Sequence, residues 1–295
     1  MYDIEKLYQA TSVEDAIKHL VDDPKAVVIA GGSDVLISIR HGKLAGCSLV
    51  SIYGLNELRG VSMLENGTIK IGPVTSFSHI TKDPIIQKYI PVLGEAVDEI
   101  GGPQIRNIGT IGGNISNGVT SADSASTLFA LNAEVEITGP SEKKVIPISE
   151  YYTGPGRVCL KNGELLTAIY ITKDNYENFS GNYIKYAMRN AMDIATLGCS
   201  VSCKLNQEKN IIEDVHIAFG VAGPVPMRCF KAEEAIKGKL ITEEMFNTFS
   251  SIVLTEVNPR SSWRASKELR LQLVEELSKR CLKEAIKKSG GIING

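Results

Sequence analysis

The chain has one tryptophan, four histidines and six cysteines in 295 residues, and each scarcity closes off a class of function. The histidines His19, His41, His79 and His216 never fall within metal-ligand spacing of one another. Each reads as a surface or packing residue, and no metal site is expected. The cysteines Cys47, Cys159, Cys199, Cys203, Cys229 and Cys281 are scattered, with no Cys-x-x-Cys pair and no iron–sulfur ligand run. A disulfide scaffold would be shorter and denser. Cys199 and Cys203, in a strand-like stretch, read as core thiols. A Gly-x-Ser-x-Gly elbow is missing, and so is a carboxylate pair suited to acid–base work, so no catalytic side chain is expected. Long apolar runs are absent: nothing approaches the roughly eighteen residues of a membrane span. The opening residues Met1 to Lys6 lack the basic-then-apolar order of a secretory signal, and a cytoplasmic location is expected. Charge of one sign is not in excess either. With 32 Lys and Arg against 34 Asp and Glu, the net charge of −2 argues against nucleic-acid binding.

What is present is enough apolar residue, 43%, for a large core, and a length that suggests two domains. Ser12, with Asp15 as capping-box partner, opens a helix that Asp22, Asp23 and Pro24 stop. Val27 to Ala30 and Ser48 to Ile52 read as strands, making a small α/β unit to about residue 54. Further on, Thr68 to Gly72, Ala133 to Thr138 and Leu165 to Ile171 read as strands. Helices are expected from Thr75 toward His79, from Pro91 to Ile100, and from Asp123 to Leu131. The polar stretch 173–182 marks a boundary. Beyond it come strands at 183–188, 198–205 and 215–221, then helices at 230–238, 242–256 and 263–288. The last helix is expected to bury Trp263, Leu269, Leu273, Leu277, Cys281 and Leu282 on one face. Its nine Lys and Arg against four Glu over 260–288 suit a solvated face or a subunit contact. The overall class is α+β.

Three segments could carry chemistry. Val27 to Asp34 runs a strand into Gly31-Gly32-Ser33, where backbone N–H groups could approach a pyrophosphate; the alternative is a tight strand-to-helix turn. It matches neither the Rossmann fingerprint nor a Walker A loop. Gly101 to Asn114 offers a second set of close N–H donors, with Arg106 adding charge and Asp123 able to accept from ribose or ring donors. The alternative is a pair of turns around a short strand, with Asp123 as a helix N-cap. Third, Lys185 and Arg189 would share one strand face and could enter one cleft, or simply face solvent.

Taken together, Ala30-Gly-Gly-Ser-Asp-Val-Leu-Ile37, Pro103-Gln-Ile-Arg-Asn-Ile-Gly-Thr-Ile-Gly-Gly-Asn114, Ser121-Ala-Asp123, Lys185 to Ile194 and Pro259 to Glu268 resemble a known family. It is the FAD-binding subunits of the molybdenum hydroxylases, the xanthine dehydrogenase and carbon monoxide dehydrogenase flavoproteins. The likeness covers nearly the whole chain and most resembles the separate FAD subunit of bacterial xanthine dehydrogenases.

The resemblance implies a two-lobed FAD-binding domain of the vanillyl-alcohol-oxidase (PCMH) type over 1–176, with lobes of about 1–54 and 55–176. A smaller α+β domain of the CO dehydrogenase flavoprotein C-terminal type would cover 180–290. It also implies that FAD sits on Val27, Val28, Ile29, Ala30, Gly31, Gly32, Ser33 and Asp34 as first pyrophosphate loop. Gly109, Thr110, Ile111, Gly112, Gly113 and Asn114 would form the second. Asp123 would bond the adenosine part, Leu165 would touch the flavin, and Lys185 would lie near the polar edge of the ring. Ile100 falls where animal enzymes place an aromatic residue on the flavin face. Covalently linked relatives carry a His near the first loop; Gly31 to Asp34 has none, so noncovalent FAD is expected.

The implied role is electron relay. A molybdopterin-binding large subunit would oxidise the substrate, a 2Fe-2S small subunit would pass the electrons on, and NAD⁺ would receive a hydride from the flavin. Alternatives are the FAD subunit of an aldehyde-, nicotinate- or CO-oxidising enzyme, a free-standing FAD oxidoreductase, or a non-catalytic nucleotide-binding module.

Overall fold

A computed structural model describes residues 2–293. Three larger sheets and a two-stranded one, Tyr152–Gly154 with Arg157–Val158, occur among the described residues. The first is parallel, in the order Ile4–Gln9, Cys47–Ser51, Val27–Ile29. Parallel neighbours need crossovers, which the helices Val13–Asp22 and Val35–Arg40 supply. The Ser12 hydroxyl caps the first helix by accepting from the N–H of Asp15. The Asp15 carboxylate reaches back one residue further than a capping box, to the N–H of Thr11. The strand Ile4–Gln9 has no alternating signal in the sequence because it is an edge strand with five of its six residues exposed. Val27–Ile29 forms the opposite edge, so it is half-buried rather than buried as its apolar run suggested.

The second sheet is antiparallel, ordered Val61–Met63, Ile69–Ile71, Leu165–Ile171, Glu134–Thr138, Lys143–Pro147. Helices pack against it around a core that includes Ile69, Phe77, Leu93, Leu128 and Ile169. The helix expected from Thr75 is instead Phe77–Lys82, capped by the Ser76 hydroxyl. Thr75 is buried, and its hydroxyl is tied to the N–H and C=O of Gly60. Residues 101–123 are not turns around a strand. They form two short helices, Pro103–Ile108 and Ile111–Ser116, too brief to show helical periodicity.

The third sheet is antiparallel, ordered Phe179–Tyr186, Leu197–Leu205, Ile212–Gly220, Met227–Arg228. Its first strand begins inside the polar stretch that read as a boundary, since Asn182 is buried and its amide reaches the Cys281 sulfur. Helices Phe230–Ile236, Glu243–Glu256 and Lys267–Lys288 cover one face, around a core that includes Phe246, Phe249, Cys281 and Leu282. The last helix starts behind its Ser266 cap, which leaves Trp263 outside it and 77% exposed. Its buried stripe is Arg270, Val274, Leu277, Cys281, Leu282 and Ala285, not one led by Trp263 and Leu269. Cys199 and Cys203 are fully buried in this core.

Between the second and third sheets lies the helix Asp123–Ala130, every residue of which is buried. A helix without a polar face must be enclosed on all sides, and this one packs on the strands Leu197–Leu205 and Ile212–Gly220. Among the described residues, no helix is long and apolar enough to cross a membrane.

Candidate cofactor-binding cleft

A cleft of about 710 Å³ opens where the three parts of the chain meet. That is the size range of small-molecule and cofactor sites. Its first wall is the turn after Val27–Ile29. A Cβ on Gly31 would sit 2.0 Å from the carbonyl oxygen of Ile108 and 3.1 Å from Gly109 Cα, so only glycine lets the two glycine runs pack back to back. Gly32 adopts φ +76°, a conformation costly for any residue with a Cβ. The turn leaves the N–H groups of Gly31, Gly32, Ser33 and Asp34 without an acceptor among the described residues. Four unpaired donors on a cleft wall suit an anion with several oxygens.

The second glycine run works differently from the donor nest that its sequence suggested. Ile111 donates to the Thr75 carbonyl at 3.0 Å and Gly112 to the Pro73 carbonyl at 2.8 Å. Gly113 donates to the Thr110 hydroxyl at 3.2 Å, and Asn114 to the Thr110 carbonyl at 3.0 Å. These amides are spent on the fold, and what the run contributes is close approach. The Asn114 side-chain oxygen accepts from Ser124 Oγ at 2.6 Å, which leaves the amide nitrogen uncommitted.

Of the residues expected to hold a cofactor, all line this cleft except Ile29, Ile111 and Lys185. Ile29 packs into a small apolar cluster with Ile39 and Leu49, and Ile111 is fully buried in the main core. Lys185 stands behind Asp123. Its Nζ lies 2.9 Å from the Asp123 carboxylate and donates to the Glu99 carbonyl at 2.8 Å. The Tyr183 hydroxyl donates to the other Asp123 oxygen at 2.6 Å. Asp123 therefore does not cap its own helix, whose N-cap is Ala122. Burial pushes the Asp123 carboxyl above its ordinary range, opposed by the Lys185 ammonium and the Tyr183 hydroxyl. Burial also drives the Tyr183 phenol well up.

Arg106 does not reach the cleft. Its Nε pairs with Asp98 at 3.0 Å and its Nη1 bonds the carbonyls of Ile100 and Gly101 at 3.3 Å, which organises the turn behind Ile100. Arg189 does not share a face with Lys185 either. The strand ends at Tyr186, and the Arg189 side chain, 68% exposed, folds back onto Met192 and Asp193.

Several lining residues were not among the expected cofactor contacts, although Met192 and Asp193 lie in the 185–194 segment that carries the family resemblance. Pro73, Phe77, Leu160 and Met192 supply apolar wall, and Glu164 and Asp193 supply carboxylates. Burial works to raise Glu164, but the Lys161 N–H at 2.8 Å and the Lys144 ammonium at 2.9 Å hold it below its ordinary value. These residues come from loops and, for Phe77, from the first position of a short helix, where no periodicity marks a function. Among the described residues, no group of three or more His, Cys, Asp or Glu could hold a metal ion.

A parallel-sheet lobe and an antiparallel-sheet lobe flank a cleft edged by a glycine turn with free amides, and together they define an α+β protein built to hold an anionic cofactor. Residues 2–173 match the family described as the FAD binding domain in molybdopterin dehydrogenase, and 182–285 match the CO dehydrogenase flavoprotein C-terminal domain. The chain belongs to this FAD-binding family, as its glycine segments suggested. It is 42% identical to the putative xanthine dehydrogenase FAD-binding subunit of Escherichia coli over 99% of each chain. It is 30% identical to the glyceraldehyde dehydrogenase medium chain of Sulfolobus acidocaldarius, over 96% of this chain and 99% of the relative. A carbon monoxide dehydrogenase structure from Hydrogenophaga pseudoflava superposes with a TM-score of 0.92 at 25% identity, covering 98% of this chain and 99% of that one.

Proposed function

We propose that this chain is the FAD-binding subunit of a xanthine dehydrogenase-type molybdenum hydroxylase acting in the cytoplasm. Its partners would be a molybdopterin-binding large subunit and a 2Fe-2S small subunit, and NAD⁺ its final acceptor. The observation that carries this reading is the unpaired amide set of Gly31 to Asp34. It faces a cleft of fitting size in a chain 42% identical, end to end, to a protein named for that role. Bound FAD supplies the capacity to take electrons singly and release them as a hydride.

The chain's own residues bind and orient. The turn Gly31 to Asp34 holds the pyrophosphate, and the Gly109 to Gly113 run sets how closely it can be approached. Leu165 and Ile100 give apolar contact to the ring, and no His stands in the first turn to form a covalent link. The resemblance put Asp123 at the adenosine end and Lys185 at the ring edge, but the two side chains are in contact. Lys185 also holds the carbonyl of Glu99, next to Ile100. This favours placing Asp123 and Lys185 together at the ring end. The two functional units would be 1–176, with its lobes of about 1–54 and 55–176, and 180–290.

A second reading, the FAD subunit of an aldehyde-oxidising member, is favoured by the 30% identity to a glyceraldehyde dehydrogenase chain. The purified chain should carry one FAD and be inactive alone. With its partners it should reduce NAD⁺ in the presence of xanthine. A flavin-free chain would refute FAD binding, and turnover by the chain alone would refute the subunit role. Activity with aldehydes but not xanthine would select the second reading.

A further inference from the structure

A second cavity, of about 340 Å³, shares no lining residue with the cleft. Lys88 to Val92 reach it from the facing ends of the helices Pro84–Tyr89 and Pro91–Asp98, and Phe179 to Gly181 with Ser202 reach it from the third sheet. Gly181 makes the seam this close. It stands opposite Ser202 in the sheet, and a Cβ there would sit 2.7 Å from Val92 Cγ1.

Three donors on the lining have no acceptor among the described residues. Ser202 is 2% exposed, and its hydroxyl bonds nothing. The helix Pro91–Asp98 starts here without a side-chain cap, and its Val92 N–H is free. Lys88 pairs with no carboxylate; its ammonium lies 4.9 Å from the Tyr89 ring centroid. A buried hydroxyl without a partner is unfavourable, and an acceptor from outside the chain would relieve it. The start of a helix also favours negative charge. Lys288, the other cation on the lining, is already held by Glu95 at 2.7 and 2.8 Å, which leaves the charge of Lys88 uncompensated. The remaining wall is aromatic and apolar. Tyr89 and Tyr176 meet edge to face with centroids 5.6 Å apart. The Tyr176 hydroxyl is committed to the Gly67 carbonyl, so its ring is what it offers the cavity. Phe179 and Leu131 extend the wall.

We propose that this cavity is a second small-molecule site, built for a monoanion with a flat apolar body, of the aromatic carboxylate class. The carboxylate accepts from Ser202 Oγ, the Val92 N–H and Lys88 Nζ, and the ring lies among Tyr89, Tyr176 and Phe179. Inorganic phosphate would satisfy the donors and leave the aromatic wall wet, and a neutral ring would do the reverse. The occupant touches both parts of the chain and so stabilises their junction. This site goes beyond the FAD-subunit reading and does not depend on it.

The test titrates benzoate into the full-length chain by calorimetry, with benzamide and inorganic phosphate as comparison probes. Benzoate should bind once per chain and raise the thermal midpoint. Benzamide and phosphate should each bind about tenfold more weakly or worse. Lys88→Gln and Ser202→Ala should each weaken benzoate by about tenfold. Flavin content should stay unchanged, because neither residue lines the cleft. Lys88 is exposed, so Lys88→Gln tests the site even where Ser202→Ala fails to fold. An absence of saturable benzoate binding overturns the proposal, and so does a benzoate affinity that Lys88→Gln leaves unchanged. Benzamide or phosphate binding as tightly as benzoate overturns it too, by removing the charge or the ring from the recognition. A flavin-free chain would instead sink the FAD reading, while Lys88→Gln still assigns bound benzoate to this cavity.

Discussion

Lys185, on the strand Phe179–Tyr186, holds Asp123, at the start of the helix Asp123–Ala130, across a gap of 2.9 Å, with only 6% and 7% of the two side chains exposed. The pair joins the third sheet to the cleft wall. Removing one member of a buried pair strands the other, at a cost of about 3–5 kcal/mol. Lys185→Met should therefore lower the urea midpoint strongly, and Asp123→Asn with Lys185→Met should recover part of the loss. The sign with pH is set by Asp123, whose folded pKa is raised. Such a group contributes stability below its unfolded pKa and loses it as pH rises through the folded value. The deficit of Lys185→Met should thus be smaller at pH 5 than at pH 8, as urea titrations at both pH values would show.

Gly31→Ala should disable the cleft. The new methyl would meet the Ile108 carbonyl at 2.0 Å, a backbone atom that cannot swing away. The two glycine runs would have to part, and FAD retention, read as the ratio of flavin to protein absorbance, should fall to a small fraction. Gly32→Ala meets only the flexible ends of Ile29 and Leu36, and its penalty comes from φ +76°. It should cost about 1 kcal/mol and leave much of the flavin bound. Equal flavin loss in both would contradict the packing argument.

His216 should make the protein acid-sensitive. Its ring is buried against Phe179 and bonded to the Ala130 carbonyl through Nδ1 at 2.9 Å. Burial, with the Arg228 cation beside it, depresses its pKa to about 4, against help from the Ala130 bond and Asp214; Lys237 adds further repulsion. A depressed folded pKa contributes stability above the unfolded value near 6.5, and that stability is lost as pH falls toward 4. The swing is roughly 3 kcal/mol. His216→Gln should flatten the fall of the urea midpoint between pH 6.5 and pH 4.

The thiols should be silent. Cys47, Cys199, Cys203, Cys229 and Cys281 are buried and Cys159 is partly so. Burial pushes Cys203 up to about 12 and raises Cys199 and Cys229 as well. Thiolate is the reactive form, so the native chain should react with a thiol reagent at no more than Cys159 within minutes. All six should react in denaturant. Reductant should leave the thermal midpoint unchanged.

Where burial was continuous along a strand, the sequence was easy to read. Leu165–Ile171 and Leu197–Leu205 are apolar runs and fell within a residue of their expected bounds. Ile4–Gln9 was invisible because edge strands bury almost nothing. By spacing Trp263 fits the period of a buried helical face, whereas the Ser266 cap starts the helix at Lys267, four residues later. At the cleft, the glycines stood out by composition alone, but their division of labour did not. Whether an amide is free or spent depends on what lies opposite it, and Pro73, Thr75 and Ile108 are remote in sequence from one run or the other.

By itself, then, the chain's residue order determined the α+β class, two glycine runs, and the family they indicate. These are properties of local pattern, composition and spacing. Only the tertiary structure decided that the first glycine run keeps its donors while the second spends those of Ile111 to Asn114, that Lys185 answers Asp123, and that Arg270 binds the carbonyls of Thr196 and Arg260. Each of these depends on groups from separate sheets meeting within about 3 Å, and no periodicity along one strand or helix encodes such a meeting.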